Sequence, residues 1–179
     1  MSKQRLIWKD EHGSIAVEAA LLFPIVLFLM VMAADMMSYF NAIRKLSASA
    51  ATAADLLATT SGTVTGSELT GIANLAAPSG VTVAMPDGVG TTFQVYEVVY
   101  GRAVPRWEFS SGSGLYCGSP KMDLGSLMSD DSDVLVVGAC GEWKSHTKGM
   151  FGMEGPLNIV QFSIVRPRRS LHTLCTDCS

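Results

Sequence analysis

The chain has 179 residues, 48% of them hydrophobic and only 16% charged, whereas soluble domains carry charge on about a quarter of their residues. The formal net charge is −3, and no basic stripe with interleaved aromatics is present; the Arg166-Pro167-Arg168-Arg169 run is too short to make one. Nucleic acid is therefore not an expected partner, and the length fits one ordinary domain plus an extra element.

Residues 1–12 are polar and lean basic through Lys3, Arg5 and Lys9. An apolar helix is predicted from Ser14 to Ala34, uncharged from Ala19 onward and interrupted before that only by Glu18. About 20 such residues cross roughly 30 Å of hydrocarbon as a helix. The basic residues ahead of it place the N-terminus in the cytoplasm and the rest outside. Pro24 removes the hydrogen bond to the Ala20 carbonyl and is expected to bend the helix.

The helical signal continues past Asp35. Tyr39, Ile43, Leu46, Ala50, Ala53 and Leu57 recur at alternating spacings of four and three, a narrow seam of coiled-coil type. Small residues flank the seam, so the expected neighbour is another helix at close approach. One helix from about Ser14 to about Ala58 would measure roughly 65–70 Å.

Thr65 followed by Glu68 has capping-box spacing and predicts a short helix from Gly66 to Ala77. Runs rich in β-branched and aromatic residues predict strands at 81–85, 91–101, 106–110, 133–145 and 158–167. Gly101 and Pro105 are expected to bound a turn, Gly138 to mark a bend or bulge, and 110–114 and 148–156 to be loops. Trp107 and Trp143 fall on strands and are expected in the sheet core. The fold class is α+β: a long N-terminal helix leading into a small domain with an antiparallel sheet.

Cys117, Cys140, Cys175 and Cys178 all follow the apolar run, on the oxidising side of this topology. An even count there reads as two disulfides, with three connectivities open. The Cys175-Thr176-Asp177-Cys178 spacing matches a redox motif, but it lies at the C-terminal end and not at the start of a helix. The interval of 23 between Cys117 and Cys140 does not suggest zinc knuckles. His12, His146 and His172 are scattered, and no G-x-S-x-G occurs. Asp130, Asp131 and Asp133 lack calcium-loop spacing and read as a solvated turn. No enzyme activity, metal or cofactor is expected.

Glu18 is the residue these arguments leave over. A charge inside a membrane helix costs a few kcal/mol and normally has a partner or a task. Cleavage after Gly13 would expose an α-amine on Ser14, mostly positive at pH 7. In a bundle of such helices Glu18 of one subunit would pair with the amine of another. At an effective dielectric of about 20, a pair 4 Å apart attracts by roughly 4 kcal/mol before desolvation.

Gly13, Glu18 at the fifth position after it and the apolar helix that follows resemble the processing site of type IV prepilins. The string G-S-I-A-V-E-A-A-L-L-F-P, residues 13–24, is similar to the opening of TadE-like proteins, minor pseudopilins of the tight-adherence (Flp) pilus, which grade into TadF-like relatives. The resemblance implies a single-pass inner-membrane protein processed by an aspartic prepilin peptidase. Gly13 would precede the cut, Ser14 would be the new N-terminus and Glu18 the acidic recognition and docking residue. Ala19 departs from the major Flp pilins, which carry an aromatic there. The implied partners are the membrane, pilin and pseudopilin subunits, the prepilin peptidase and the pilus assembly machinery. The expected division is a cytoplasmic leader (1–13), a transmembrane helix (14–34), its extramembrane continuation (35–60) and a periplasmic α+β domain (61–179). The alternative is a secreted or membrane-anchored, disulfide-stapled binding domain unrelated to pili. In its secreted form Val31-Met32-Ala33 would end a signal peptide and the mature chain would start near Ala34.

Overall fold

A computed structural model of the chain describes residues 11–60, 62–77, 85–100, 102–113, 115–121, 133–145, 155–169 and 172–178, with the backbone alone for 11–16 and Val98. In chain order the elements are α1 (Glu11–Ala58), β1 (Thr63–Val64), α2 (Gly66–Ala76), β2 (Val89–Val99), β3 (Arg102–Gly112), β4 (Val134–Trp143), β5 (Leu157–Val165) and β6 (Leu174–Cys175). The fold is α+β. A long apolar helix is followed by a small domain around a four-stranded antiparallel sheet of order β3-β2-β4-β5.

Helix α1 runs unbroken for 48 residues, through Pro24, a length of about 70 Å. It ends where the apolar seam ends. The Thr59 and Thr60 hydroxyls donate to the Leu56 and Leu57 carbonyls at 2.8 and 2.7 Å. The Arg168 amide reaches the Ala58 carbonyl at 2.9 Å. These bonds satisfy carbonyls that a helix end otherwise leaves bare.

The seam is buried, but its partner differs from the expected one. Leu46, Ala50, Ala53 and Leu57 are fully covered. They meet the chain's own sheet and not another helix. Leu46 and Ala50 pack with Met85, Ala139, Trp143 and Ile159. Ala53 and Leu57 pack with Phe93, Val95, Leu135 and Val137, and with Val64 and Leu69 from β1 and α2. Small side chains let a sheet approach as closely as they would let a helix. The period of a seam does not say which of the two fills it.

Strand periodicity explains the two faces of the sheet. Phe93 and Val95 of β2 sit opposite Val137 and Leu135 of β4 and point at the helices. Thr92, Gln94 and Tyr96 alternate to the outer face. β4 is covered on both faces, which is why it reads as a nearly continuous apolar run. No register shift occurs at Gly138, which pairs in line with Thr92 and Phe162. The glycine is needed for space: a Cβ there would lie 2.9 Å from the Phe162 ring and 3.1 Å from the Cys117 Cβ.

The bulge lies between β2 and β3 instead, where Val95 opposes Trp107 and Tyr96 opposes Pro105, leaving Arg106 extra. Pro105 therefore sits inside a strand and does not bound the turn. β3 is an edge strand, where a missing amide is tolerated. Tyr100, whose φ is 52°, lies in the turn. β3 also extends to Gly112, into the stretch expected to be a loop. Of the strand expected at 81–85 only Met85 is described, and it is buried outside any strand. Most of the 148–156 loop also lies outside the described residues.

The capping box at the start of α2 is present as the sequence indicates: the Glu68 amide donates to Thr65 Oγ1 and the Thr65 amide to Glu68 Oε2. On the outer face of the sheet, a Cys117–Cys140 disulfide ties the 115–121 segment down. Beneath it the Tyr96 hydroxyl donates to Gln94 Oε1 at 3.1 Å, and Gln94 Nε2 donates to Ser119 Oγ at 3.2 Å. A hydrogen bond to Glu108 holds the neighbouring Tyr116 phenol above its usual pKa.

Asp133 is not part of a solvated turn. Its side chain is completely buried, and Asp130 and Asp131 lie outside the described residues. Asp133 accepts from the Thr173 amide at 2.7 Å, meets His172 Nδ1 at 3.1 Å and faces Arg106 at 3.4 Å. The Trp107 indole donates to the Thr173 carbonyl. The C-terminal tail is thereby held against β3. It then pairs in parallel as β6 with β1, and the Gly66 amide at the start of α2 donates to Asp177 at 2.7 Å. A Cys175–Cys178 disulfide closes this clasp.

Two tests follow from the packing. Leu57→Ala is expected to destabilise the detergent-solubilised full chain by about 2–5 kcal/mol in denaturant titration, against roughly 0.5 kcal/mol or less for Thr52→Ala on the exposed side of the same helix. Asp133→Ala leaves the Thr173 amide buried without its acceptor and is expected to cost about 2–4 kcal/mol. It should also speed tryptic release of the tail at Arg168 and Arg169, read by mass spectrometry.

Candidate functional site

The feature that the domain does not use is the first half of α1. From Val17 to Phe40 the helix exposes Leu21, Phe23, Ile25, Leu29, Met30 and further large apolar side chains, most of them more than half accessible. The helix is long and apolar enough to cross a membrane, and its most apolar stretch has no part buried within the fold. Each large apolar side chain left in water forgoes up to roughly 1.5–3 kcal/mol that full burial would give, so this surface calls for a cover from outside the described chain.

Gly13 and Ser14 lie in the first turn of α1, where the backbone is helical. Glu18 lies one turn further on and is exposed, among Val17, Ala19 and Ala20, which are exposed too. The three residues are thus brought together on one short stretch of helix, as the sequence spacing implies. The domain reaches none of the exposed face around Glu18.

The four cysteines form two disulfides, Cys117–Cys140 with a Cα separation of 5.3 Å and Cys175–Cys178 with 5.6 Å. Sequence left the three connectivities open. The first fastens the 115–121 segment to β4, and the second closes a short loop within the C-terminal tail. Neither adjoins the exposed helix. Among the described residues no cluster of His, Cys, Asp and Glu has the arrangement to hold a metal ion.

Asp35 is the residue that sequence reading passed over. It follows the apolar run directly, and it is turned inward and only 8% exposed. The Ser145 hydroxyl, just past the end of β4, donates to it at 2.6 Å. Beside it Tyr39 packs edge-on against Trp143 with ring centroids 5.2 Å apart, and the Trp143 indole faces Ser38. The tip of β4 is thereby fixed to α1 at the point where the helix enters the domain. The seam period places Asp35 one helical turn before Tyr39 on the same side, which was the available signal.

No curated protein and no solved structure matches the chain significantly. A match to a family model does exist, and it falls on the helix: residues 13–55 match the family described as TadE-like protein. It begins at Gly13, takes in Glu18 and the exposed apolar face, and extends through Ala53 of the buried seam. By that match the long N-terminal helix of this chain is similar to the TadE-like family over residues 13–55.

Proposed function

We propose that the protein acts structurally, as a minor pseudopilin or assembly protein of a tight-adherence pilus. One observation carries the reading. The TadE-like match coincides with a helix whose first half is apolar and uncovered and whose second half is the spine of a folded domain. Such a part joins a bundle of similar helices while presenting its own domain to one side.

In this proposal residues 1–13 are a cytoplasmic leader, the apolar half of α1 is embedded in the inner membrane, and the α+β domain stands in the periplasm. A prepilin peptidase cuts between Gly13 and Ser14. The new Ser14 amine is positive at neutral pH. Glu18 of a neighbouring subunit pairs with it, which offsets two charges that would each be costly alone in hydrocarbon and fixes the axial register of one helix against the next. Pilin and pseudopilin subunits and the assembly machinery are the partners. The two disulfides suit an oxidising compartment, and a structural role needs no catalytic group.

Mass and N-terminal sequence of the membrane-extracted protein test the processing step. A start at Ser14 that depends on the prepilin peptidase is expected. A start near Ala34 would mean a secreted domain and would end the pseudopilin reading. Glu18→Ala tests the pairing step. Membrane insertion should be unchanged while surface pili, counted by electron microscopy, fall at least several-fold. Normal piliation in that variant would contradict the pairing of Glu18 with a neighbouring amine.

A further inference from the structure

The inward turn of Asp35 changes where the lipid-facing surface of α1 ends. By composition the apolar run stops at Ala34. On the exposed side of the helix it does not. Met36, Met37 and Phe40 are 56%, 65% and 50% exposed, and they continue the apolar face of Leu29, Met30 and Ala33. Asp35, the only charged residue between Ala19 and Phe40, is covered by the domain on the opposite side. The first exposed polar side chains above the patch are Asn41 and Arg44.

We propose that Met36, Met37 and Phe40 are a lipid-contact surface, so that the bilayer boundary runs obliquely across α1. It lies at Asp35 on the domain side and just above Phe40 on the other. This rests on the membrane-embedded reading of the helix given above, and its occupant is the acyl region of the outer leaflet. Continuity argues for lipid: the patch is the uninterrupted upper end of the span and has no exposed charge separating it from that span. Burial of an apolar side chain there is favourable, whereas an exposed Asp35 at the same height would not be.

The oblique boundary has a geometric consequence. Asp35 and Phe40 differ by about 7.5 Å along the axis of a helix about 10 Å wide, and a tilt of roughly 35° brings both to one level, within the range seen for membrane helices. The uncharged exposed face from Ala19 to Phe40 is about 33 Å long, and at that tilt it rises about 27 Å, near the roughly 30 Å of a hydrocarbon core. The helix then leans with Met36, Met37 and Phe40 facing the membrane and the sheet on its upper side. Arg44, one turn beyond Phe40, comes to the level of the headgroup phosphates.

The test uses the full chain, whose four cysteines are paired, in liposomes of phosphatidylethanolamine and phosphatidylglycerol. Single cysteines at Met30→Cys, Met37→Cys, Phe40→Cys and Ala48→Cys carry a small fluorophore. Quenching by nitroxide on the lipid acyl chains is compared with quenching by aqueous iodide. The proposal expects the labels at 37 and 40 to follow the one at 30, with strong lipid quenching and loss of most of the iodide quenching seen at 48. Labels at 37 and 40 that follow 48 while 30 is lipid-quenched would overturn the oblique boundary and leave the membrane span standing. A label at 30 that is also open to iodide would refute the span itself. Labels at 37 and 40 shielded from both quenchers, with Met37→Cys forming a disulfide between copies, would show a second protein chain on this surface and would equally overturn the proposal.

Discussion

The close packing of Leu46, Ala50, Ala53 and Leu57 against the inner face of the sheet is the contact on which the rest depends. These four side chains belong to the same helix that carries the apolar span, and α2 shares the cover of that face through Leu69, Ala73 and Ala76. Three consequences follow from that one interface. The domain cannot keep its core without the helix. The helix cannot rotate relative to the domain without unpacking that core. The exposed apolar half of α1 is presented at a fixed orientation to everything outside. Alanines at 50, 53 and 54 make the approach close, and each lost or added methylene in such a layer is felt.

Around this interface the remaining interactions act as fasteners. The Cys117–Cys140 bridge holds a segment to the outer face, where Gly138 leaves room for it. Asp133 and Trp107 hold the C-terminal tail on β3, and the tail in turn closes β1 and the start of α2. Ser145 and Trp143 hold the tip of β4 to the base of the helix at Asp35 and Ser38. Polar contacts therefore lie at the ends of the sheet, in its clasp and on its outer face around Gln94, while the layer between α1 and the sheet is apolar.

Much of this was legible in the sequence because it depends on period and on local chemistry. The end of α1, the capping box at Thr65 and Glu68, and the strands around Val95, Val136 and Ile164 all follow from residue spacing. Gly13, Ser14 and Glu18 form one short motif on the helix, and the family match begins at the first of them. What spacing could not give is the identity of distant neighbours. The seam from Tyr39 to Leu57 was read as a surface for another helix because a four-three repeat is silent about what fills it. Asp133 was read as part of a solvated turn and Asp35 was given no role, because charge in sequence says nothing of burial; each is buried by a contact about forty or more than a hundred residues away. Pro105 was read as a turn because the edge position that tolerates it is a property of the sheet order. Gly138 was read as a bulge for the same reason: the space it provides is visible only once Phe162 and Cys117 are beside it.

The central claim is that one rigid helix passes without a break from the apolar span into the core of the domain. Hydrogen exchange of the full chain in lipid nanodiscs, resolved over peptides covering residues 27 to 58, tests it most directly. The account predicts slow exchange throughout that interval, with the amides from Asp35 to Ala42 protected as strongly as those from Leu46 to Leu57. Rapid exchange confined to Asp35–Ala42, between two protected segments, would show a hinge at the domain entrance and would contradict the account.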